Sequence, residues 1–175
     1  QGLDRVVGNV PEEIYYDFEK RFGLRIQTIY SQTECVLGIM GPREGTIPRK
    51  PGSVGVAMEH PDARIQNEIK IVDDQGKEPK KRKNGEIIIR NPAVMIEYLK
   101  DTKRSQETKR EGWIYTGDIG YKDEDGYIYF VGRKKEVIRR RGELISPGEI
   151  EAILERHPAV EETAVIGVAS GLGAG

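Results

Sequence analysis

Ile14, Phe18 and Phe22 recur at every fourth position, which places them on one face of a helix ready to pack against a sheet. Asn9 supplies a candidate N-cap, Pro11 stands near the first helical position, and Gly23 marks the stop. The predicted helix lies between two strands, the second running from Leu24 to Tyr30 and leading straight into Ser31-Gln32-Thr33-Glu34. Farther on the pattern turns β-rich. Ile65, Ile69, Ile71 and Val72 precede an Asp73-Asp74-Gln75-Gly76 turn, and Asn84-Gly85 introduces a strand from Glu86 to Arg90. A hairpin is expected from Ile119-Gly120-Tyr121, through Asp123-Glu124-Asp125-Gly126, into Tyr127 to Val131. Asp-Gly and Asn-Gly pairs suit such turns because these residues tolerate positive φ.

The period changes again near the end. Ser146-Pro147-Gly148-Glu149 reads as a capping box with proline at the first helical position. Ile150, Ile153 and Leu154 have helical spacing, His157-Pro158 stops the helix, and Glu162 to Val168 reads as a strand. A helix–strand unit after a β-rich segment predicts a new domain starting near Arg133.

Composition narrows the classes. The 175 residues are 37% hydrophobic and 33% charged, enough apolar content for a packed core. The net charge of -1, from 28 Lys+Arg and 29 Asp+Glu, argues against a dedicated nucleic-acid binder, which needs a basic face. Lys80 to Lys83 is read as a solvated loop. Cys35 stands alone, so no internal disulfide is possible and a reducing, cytoplasmic setting is expected. No apolar run is long enough for a membrane span. His60 and His157 are read as turn or cap residues, and with Cys35 they make no metal-binding spacing. No phosphate loop of the Gly-x-x-x-x-Gly-Lys-Ser/Thr type is present. Both ends look cut: Val6 and Val7 follow an uncapped start, and Gly171 to Gly175 form a Gly-rich tail.

Three short constellations could carry chemistry. In Tyr30-Ser31-Gln32-Thr33-Glu34, at the end of a strand, an aromatic ring can stack on a base and a hydroxyl can bond phosphate. The Glu34 carboxylate can hold Mg²⁺, which prefers hard oxygen ligands. In Trp113-Ile114-Tyr115-Thr116-Gly117-Asp118, a carboxylate on a tight turn can accept from both hydroxyls of a ribose, or only bond its own backbone. In Gly132-Arg133-Lys134-Lys135-Glu136 and Arg139-Arg140-Arg141-Gly142, cations after a hairpin can bind phosphate or serve as a solvated connector. Gly142 would allow a ligand close to the backbone.

The order and spacing of these segments resemble the adenylate-forming (AMP-binding) superfamily: acyl-CoA synthetases, peptide-synthetase adenylation domains and beetle luciferases. Arg49-Lys50-Pro51-Gly52-Ser53-Val54-Gly55, Asn84-Gly85-Glu86-Ile87, Gly112 to Asp118, Asp123 to Lys135 and Gly142 to Glu151 share the resemblance, which covers nearly the whole chain. Gly132-Arg133-Lys134-Lys135-Glu136 and Ser146-Pro147-Gly148-Glu149 look more like the acid–CoA ligase branch, and the Arg-Arg-Gly-Glu run is similar to carnitine–CoA ligases.

The resemblance implies an α/β fold with a β-rich subdomain. Residues 1–52 would end the α/β nucleotide-binding part of a large N-terminal domain, and 53–132 would form its β-rich subdomain. Residues 133–175 would be the hinge and start of a small α+β C-terminal domain. It implies activation of a fatty, aromatic or carnitine-type carboxylic acid by ATP to an acyl-adenylate, then thioester formation with coenzyme A. Tyr30 would stack on adenine, with Gly8 to Pro11 as the loop beside it. Thr33 would touch phosphate, Glu34 would hold Mg²⁺, and Asp118, assisted by Arg133, would bind the ribose. Lys135 would be the hinge, Gly142 would lie beside the pantetheine channel, and Cys35 to Gly38 would border the acid pocket. Ser31 replaces the Gly that most relatives have. The family's Ser/Thr/Gly-rich phosphate loop would lie before residue 1 and its catalytic lysine beyond Gly175, which implies a fragment inactive alone. An amino-acid-adenylating domain of a peptide synthetase and a non-catalytic nucleotide-binding relic remain alternatives.

Overall fold

The computed structural model describes residues 3–10, 12–41, 48–140 and 143–168, with only the backbone of Leu37 and Met40. Strand β1 (Arg5–Val7), a 3-10 turn at Glu12–Ile14, helix α1 (Tyr15–Phe22) and strand β2 (Arg25–Gln27) form a β–α–β unit, the two strands being parallel. The helix stops where expected, Gly23 adopting φ 64° in the left-handed region that glycine enters without strain. Its start and its buried face differ from expectation. Asn9 is not an N-cap: its side chain donates to Ile29 O at 2.8 Å and accepts from Ile29 N at 3.2 Å. Pro11 lies outside the described residues. The helix face turned inward carries Tyr15 and Glu19, while Ile14 and Phe22 are 50% and 54% exposed.

Glu19 explains that choice. Its carboxylate takes both guanidinium nitrogens of Arg49 and the Ile26 amide (2.8 Å), and Tyr15 donates to Ile26 O at 2.9 Å. A buried carboxylate needs such partners, and these four side and main chains fasten α1 to β2. Although burial opposes ionisation, the Arg49 hydrogen bonds and the Ile26 amide hold Glu19 below the usual carboxylate range.

The expected strand from 24 to 30 is broken at Thr28. Strand β3 (Ile29–Gln32) turns through Thr33-Glu34 into β4 (Cys35–Met40), which pairs with β5 (Val56–Ala57). The second, antiparallel sheet runs β10 (Ile128–Arg133), β9 (Trp113–Lys122), β7 (Gly85–Arg90), β6 (Glu68–Val72). The short β8 (Lys109–Arg110) joins the edge of β9. Between the two sheets Tyr30, Cys35 and Ile39 pack with Ile69, Ile71, Ile87, Ile89, Ile114 and Ile128. Each such isoleucine contributes about 1.5–3 kcal/mol by leaving water.

The predicted turns form, by two different uses of glycine. Asp123 Oδ1 accepts from the amides of Asp125 (3.0 Å) and Tyr127 (2.9 Å), and Gly126 takes φ 88°. Lys50, 2.5 Å from Asp123 Oδ2, compensates its burial. Asp73 organises its turn the same way, accepting from Gln75 and Lys77. Gly85 differs, because its φ is not positive. A Cβ there would stand 2.5 Å from the Val72 carbonyl, so close backbone approach demands the glycine. Lys80 to Asn84 is exposed, as expected of a solvated loop.

Helix α2 (Thr102–Thr108), capped by Asp101, has no counterpart in the hydrophobic pattern. The basic connector contains strand β11 (Ile138–Arg140), paired antiparallel with β12 (Glu143–Ile145). Helix α3 (Pro147–Leu154) begins on proline as predicted, but the capping box does not form, since Ser146 is buried without a side-chain cap hydrogen bond. Glu162 to Val168 makes no strand, having no ladder partner among the described residues. No helix among the described residues is long and apolar enough to cross a membrane.

Candidate functional site

Strand β9 carries the motif Thr116-Gly117-Asp118 in mid-strand and not on the expected tight turn. Ile88 pairs with Tyr115 and Glu86 with Ile119, so Ile87 alone faces the three motif residues and β9 bulges. Gly117 permits this with φ 70°. Thr116 Oγ1 donates to Ile87 O at 2.6 Å and accepts from Asp118 N at 3.1 Å, holding the bulge shut. The Gly117 amide donates to Glu86 Oε1 at 3.1 Å.

The bulge turns Asp118 inward, where it is only 2% exposed. Its Oδ2 accepts from Tyr30 Oη at 2.5 Å and Gln32 Nε2 at 2.6 Å. Its Oδ1 lies 2.9 Å from Arg133 Nη1, but no donor among the described residues reaches it at a hydrogen-bonding angle. An uncompensated buried acceptor costs about 1–3 kcal/mol, and the Arg133 charge 2.9 Å away offsets part of that here. Burial pushes the Asp118 carboxyl above the ordinary aspartate value, and Tyr30, Arg133 and Gln32 offset only part of that. Burial and the Asp118 carboxylate together keep the Tyr30 phenol well above its usual range.

Beside this carboxylate opens a cleft of about 1120 Å³. Thr33, Glu34, Arg133 and Lys135 line it; Asp118 and Tyr30 stand behind its wall. Tyr30 is a core residue, its ring 6.5 Å from that of Phe130. Val36 also lines the cleft, whereas Cys35 is fully buried and Gly38 packs on Ile89. Burial pushes the Cys35 thiol up to about 11. Gly142 lies outside the described residues. His60 accepts from the Asp62 amide and His157 from the Ala159 amide, so both are turn residues.

Two contributors went unrecognised in the sequence. Gln32 bridges Asp118 and Thr116 O, and Tyr98 donates to Glu34 Oε1 at 2.5 Å. For Gln32 a signal existed: Tyr30 and Gln32 are two apart on a strand and so share a face. Tyr98 lies 64 positions from Glu34, beyond any local signal.

The sequence profile described as "AMP-binding enzyme" matches residues 6–99, over half of the chain. The chain belongs to the AMP-binding enzyme family. Its relatives include the crotonobetaine/carnitine–CoA ligase of Salmonella typhimurium (strain LT2), 38% identical over 166 residues, covering 91% of this chain and 30% of that protein. Among solved structures, O-succinylbenzoate coenzyme A synthetase of Bacillus subtilis in complex with AMP superposes with TM-score 0.80 at 30% identity, over 95% of this chain and 34% of that one. The anthranilate CoA ligase AuaEII in complex with anthranoyl-AMP gives TM-score 0.79 at 32% identity, over 95% of this chain and 31% of that one. The AMP-binding enzyme chain thus has the fold of adenylate-forming CoA ligases and spans about 30% of the length of the curated relatives it matches.

For this AMP-binding enzyme the donor set can be tested against the groups the family implies. Asp118 Oδ1, a buried acceptor short of donors, has the chemistry to accept from a ribose hydroxyl. Among the described residues no three His, Cys, Asp or Glu side chains cluster as a metal cage. Glu34 is a single carboxylate on the cleft, which suits Mg²⁺, a cation commonly held by one or two carboxylates together with substrate phosphates.

Proposed function

We propose that the chain is the ribose- and metal-binding part of an ATP-dependent acid–CoA ligase that activates a fatty, aromatic or carnitine-type acid. The observation that carries this is Asp118 Oδ1: buried, ionisable, beside Arg133, and without a hydrogen-bond donor. The two ribose hydroxyls of ATP supply the missing donors. Thr33, exposed on the turn after β3, reaches phosphate, and Glu34 holds Mg²⁺, which neutralises charge on the phosphate oxygens. Tyr30, buried in the core and off the cleft surface, serves as the anchor of Asp118 and not as a stacking platform for adenine.

In the reaction a carboxylate oxygen attacks the α-phosphorus of ATP and the bond to pyrophosphate breaks. A free carboxylate is a poor electrophile, but the resulting mixed anhydride is a good one. The thiolate of coenzyme A then attacks the acyl carbon, the bond to AMP breaks, and the thioester forms. Lys135 is the hinge between these steps. Lys134, just before it, is tied back to Gly117 O by its amide (2.8 Å) and to Glu86 by its ammonium (2.8 Å), whereas Lys135 is exposed. Burial works to lower the Lys134 pKa, but Glu86 and Asp74 outweigh it and keep the ammonium charged. Residues 1–52, 53–132 and 133–175 are the proposed domain divisions, with Gly142 at the pantetheine channel and a cytoplasmic setting.

The test is acid-dependent pyrophosphate release by the full-length protein over a panel of acids. The 38% identity to a crotonobetaine/carnitine–CoA ligase puts carnitine-type acids first, followed by aromatic and fatty acids, with amino acids as the contrast. Release with an organic acid, followed by its CoA thioester, supports the proposal. Release with amino acids only, or with none while ATP binds, overturns it.

A further inference from the structure

Glu34 sits in the two-residue turn between β3 and β4, where a side chain has little to hold it. Residues 94–98 nonetheless grip it at two points. The Met95 amide donates to Glu34 O at 2.8 Å, and Tyr98 Oη donates to Glu34 Oε1 at 2.5 Å. Cys35 and Val94 add a bridge alongside. The gripping segment is held in turn by helix α2. The Tyr98 amide donates to Ser105 Oγ at 2.8 Å, and Ser105 Oγ donates to Asp101 O at 2.7 Å. The Arg104 guanidinium lies over the Tyr98 ring at 4.3 Å. A cation on that face draws electron density from the ring, which favours the phenol as a donor and fixes its plane.

We propose that Tyr98, held by helix α2, is the positioning residue for the metal-binding carboxylate of Glu34. Its hydroxyl occupies Oε1 and leaves Oε2 for the divalent cation that arrives with ATP. This rests on the reading of Glu34 given above and extends it to a second side chain of the same cleft wall. A carboxylate free to rotate must be ordered when the cation binds; one fixed by a charge-assisted hydrogen bond has already lost that freedom. Partners of metal ligands characteristically change metal affinity by about 10–100-fold when removed. Tyr98→Phe removes the hydroxyl and keeps the ring under Arg104.

The experiment is calorimetric titration of the full-length ligase with ATP in Mg²⁺ and with ATP in chelator, for wild type, Tyr98→Phe and Glu34→Gln. The expected result is that Tyr98→Phe reduces the affinity gained from Mg²⁺ by about tenfold or more, with metal-free ATP binding unchanged. Glu34→Gln should remove the gain at least as fully. If Glu34→Gln removes it and Tyr98→Phe does not, the role of Tyr98 is overturned while Glu34 stands. If Glu34→Gln leaves the gain intact, the metal reading itself fails. If Tyr98→Phe weakens ATP equally with and without Mg²⁺, the hydroxyl is structural and the proposal is wrong.

Discussion

The hydroxyl of Tyr30 donates to Asp118 Oδ2 at 2.5 Å, across 88 positions of sequence. One end of this bond belongs to the core between the sheets, and the other is the carboxylate that we assign to ribose. Tyr30 therefore converts core packing into the orientation of a ligand-binding group. With Gln32 it occupies one carboxylate oxygen fully and leaves the other short of donors.

Replacing Asp118 with alanine in the full-length protein removes the proposed ribose acceptor. The loss should be about 1.5–3 kcal/mol of ATP affinity, the range for hydrogen bonds to a charged group. Calorimetry on Asp118→Ala checks this, and ATP binding equal to wild type would make Asp118 a purely structural residue.

The raised pKa of Asp118 gives ATP binding a pH dependence of known sign. The ionised form accepts from the ribose, so affinity should fall on acidification at a pH above the ordinary aspartate value of about 3.9. Stability runs the other way. A group whose folded pKa is raised contributes stability below its unfolded pKa and loses it as pH rises through the folded one. Asp118→Asn should flatten that part of a urea-denaturation profile against pH. Tyr30→Phe deletes a donor to the carboxylate and should move both effects to still higher pH. No movement would show that the bond contributes nothing to ionisation.

Two glycines should respond to alanine for different reasons. At Gly85 the added Cβ meets the Val72 carbonyl at 2.5 Å, so β6 and β7 must part. The expected cost is about 1–3 kcal/mol in chemical denaturation, as for other overpacked sites. At Gly117 there is open space but φ is 70°, so the cost is backbone strain of about 1–2 kcal/mol. Because the Gly117 strain lies in the bulge that orients Asp118, ATP affinity should fall with it. Gly85→Ala should spare affinity in the protein that remains folded.

Lys135→Pro should separate the two half-reactions. Proline locks φ near −65°, while a hinge needs that angle to change. We expect acid-dependent pyrophosphate exchange to persist and transfer from preformed adenylate to coenzyme A to fall by orders of magnitude, with Lys135→Ala as the control for charge. Equal depression of both steps, or an equal effect of alanine, would place the pivot elsewhere.

The elements read correctly from sequence are those with a local cause. Gly23 ends α1, Asp73 and Asp123 bond their own neighbouring amides, and Pro147 opens α3, each within a few residues. The spacing of the family motifs was equally visible, because it is a property of the linear chain. The failures share a different cause. Asn9 and Ser146 have the chemistry of N-caps, yet Asn9 bonds Ile29, 20 positions away, and Ser146 is buried without capping. Ile14, Phe18 and Phe22 form the apolar stripe of α1, but the inward face is chosen by Glu19 and its distant partner Arg49. The local sequence places Asp118 on a tight turn, whereas pairing with β7 puts it at a bulge within β9. An isolated residue type specifies what hydrogen bonds it can make. Which of them it makes depends on the donors that folding brings within about 3 Å, and for Asp118 those are Tyr30 and Gln32, from another sheet.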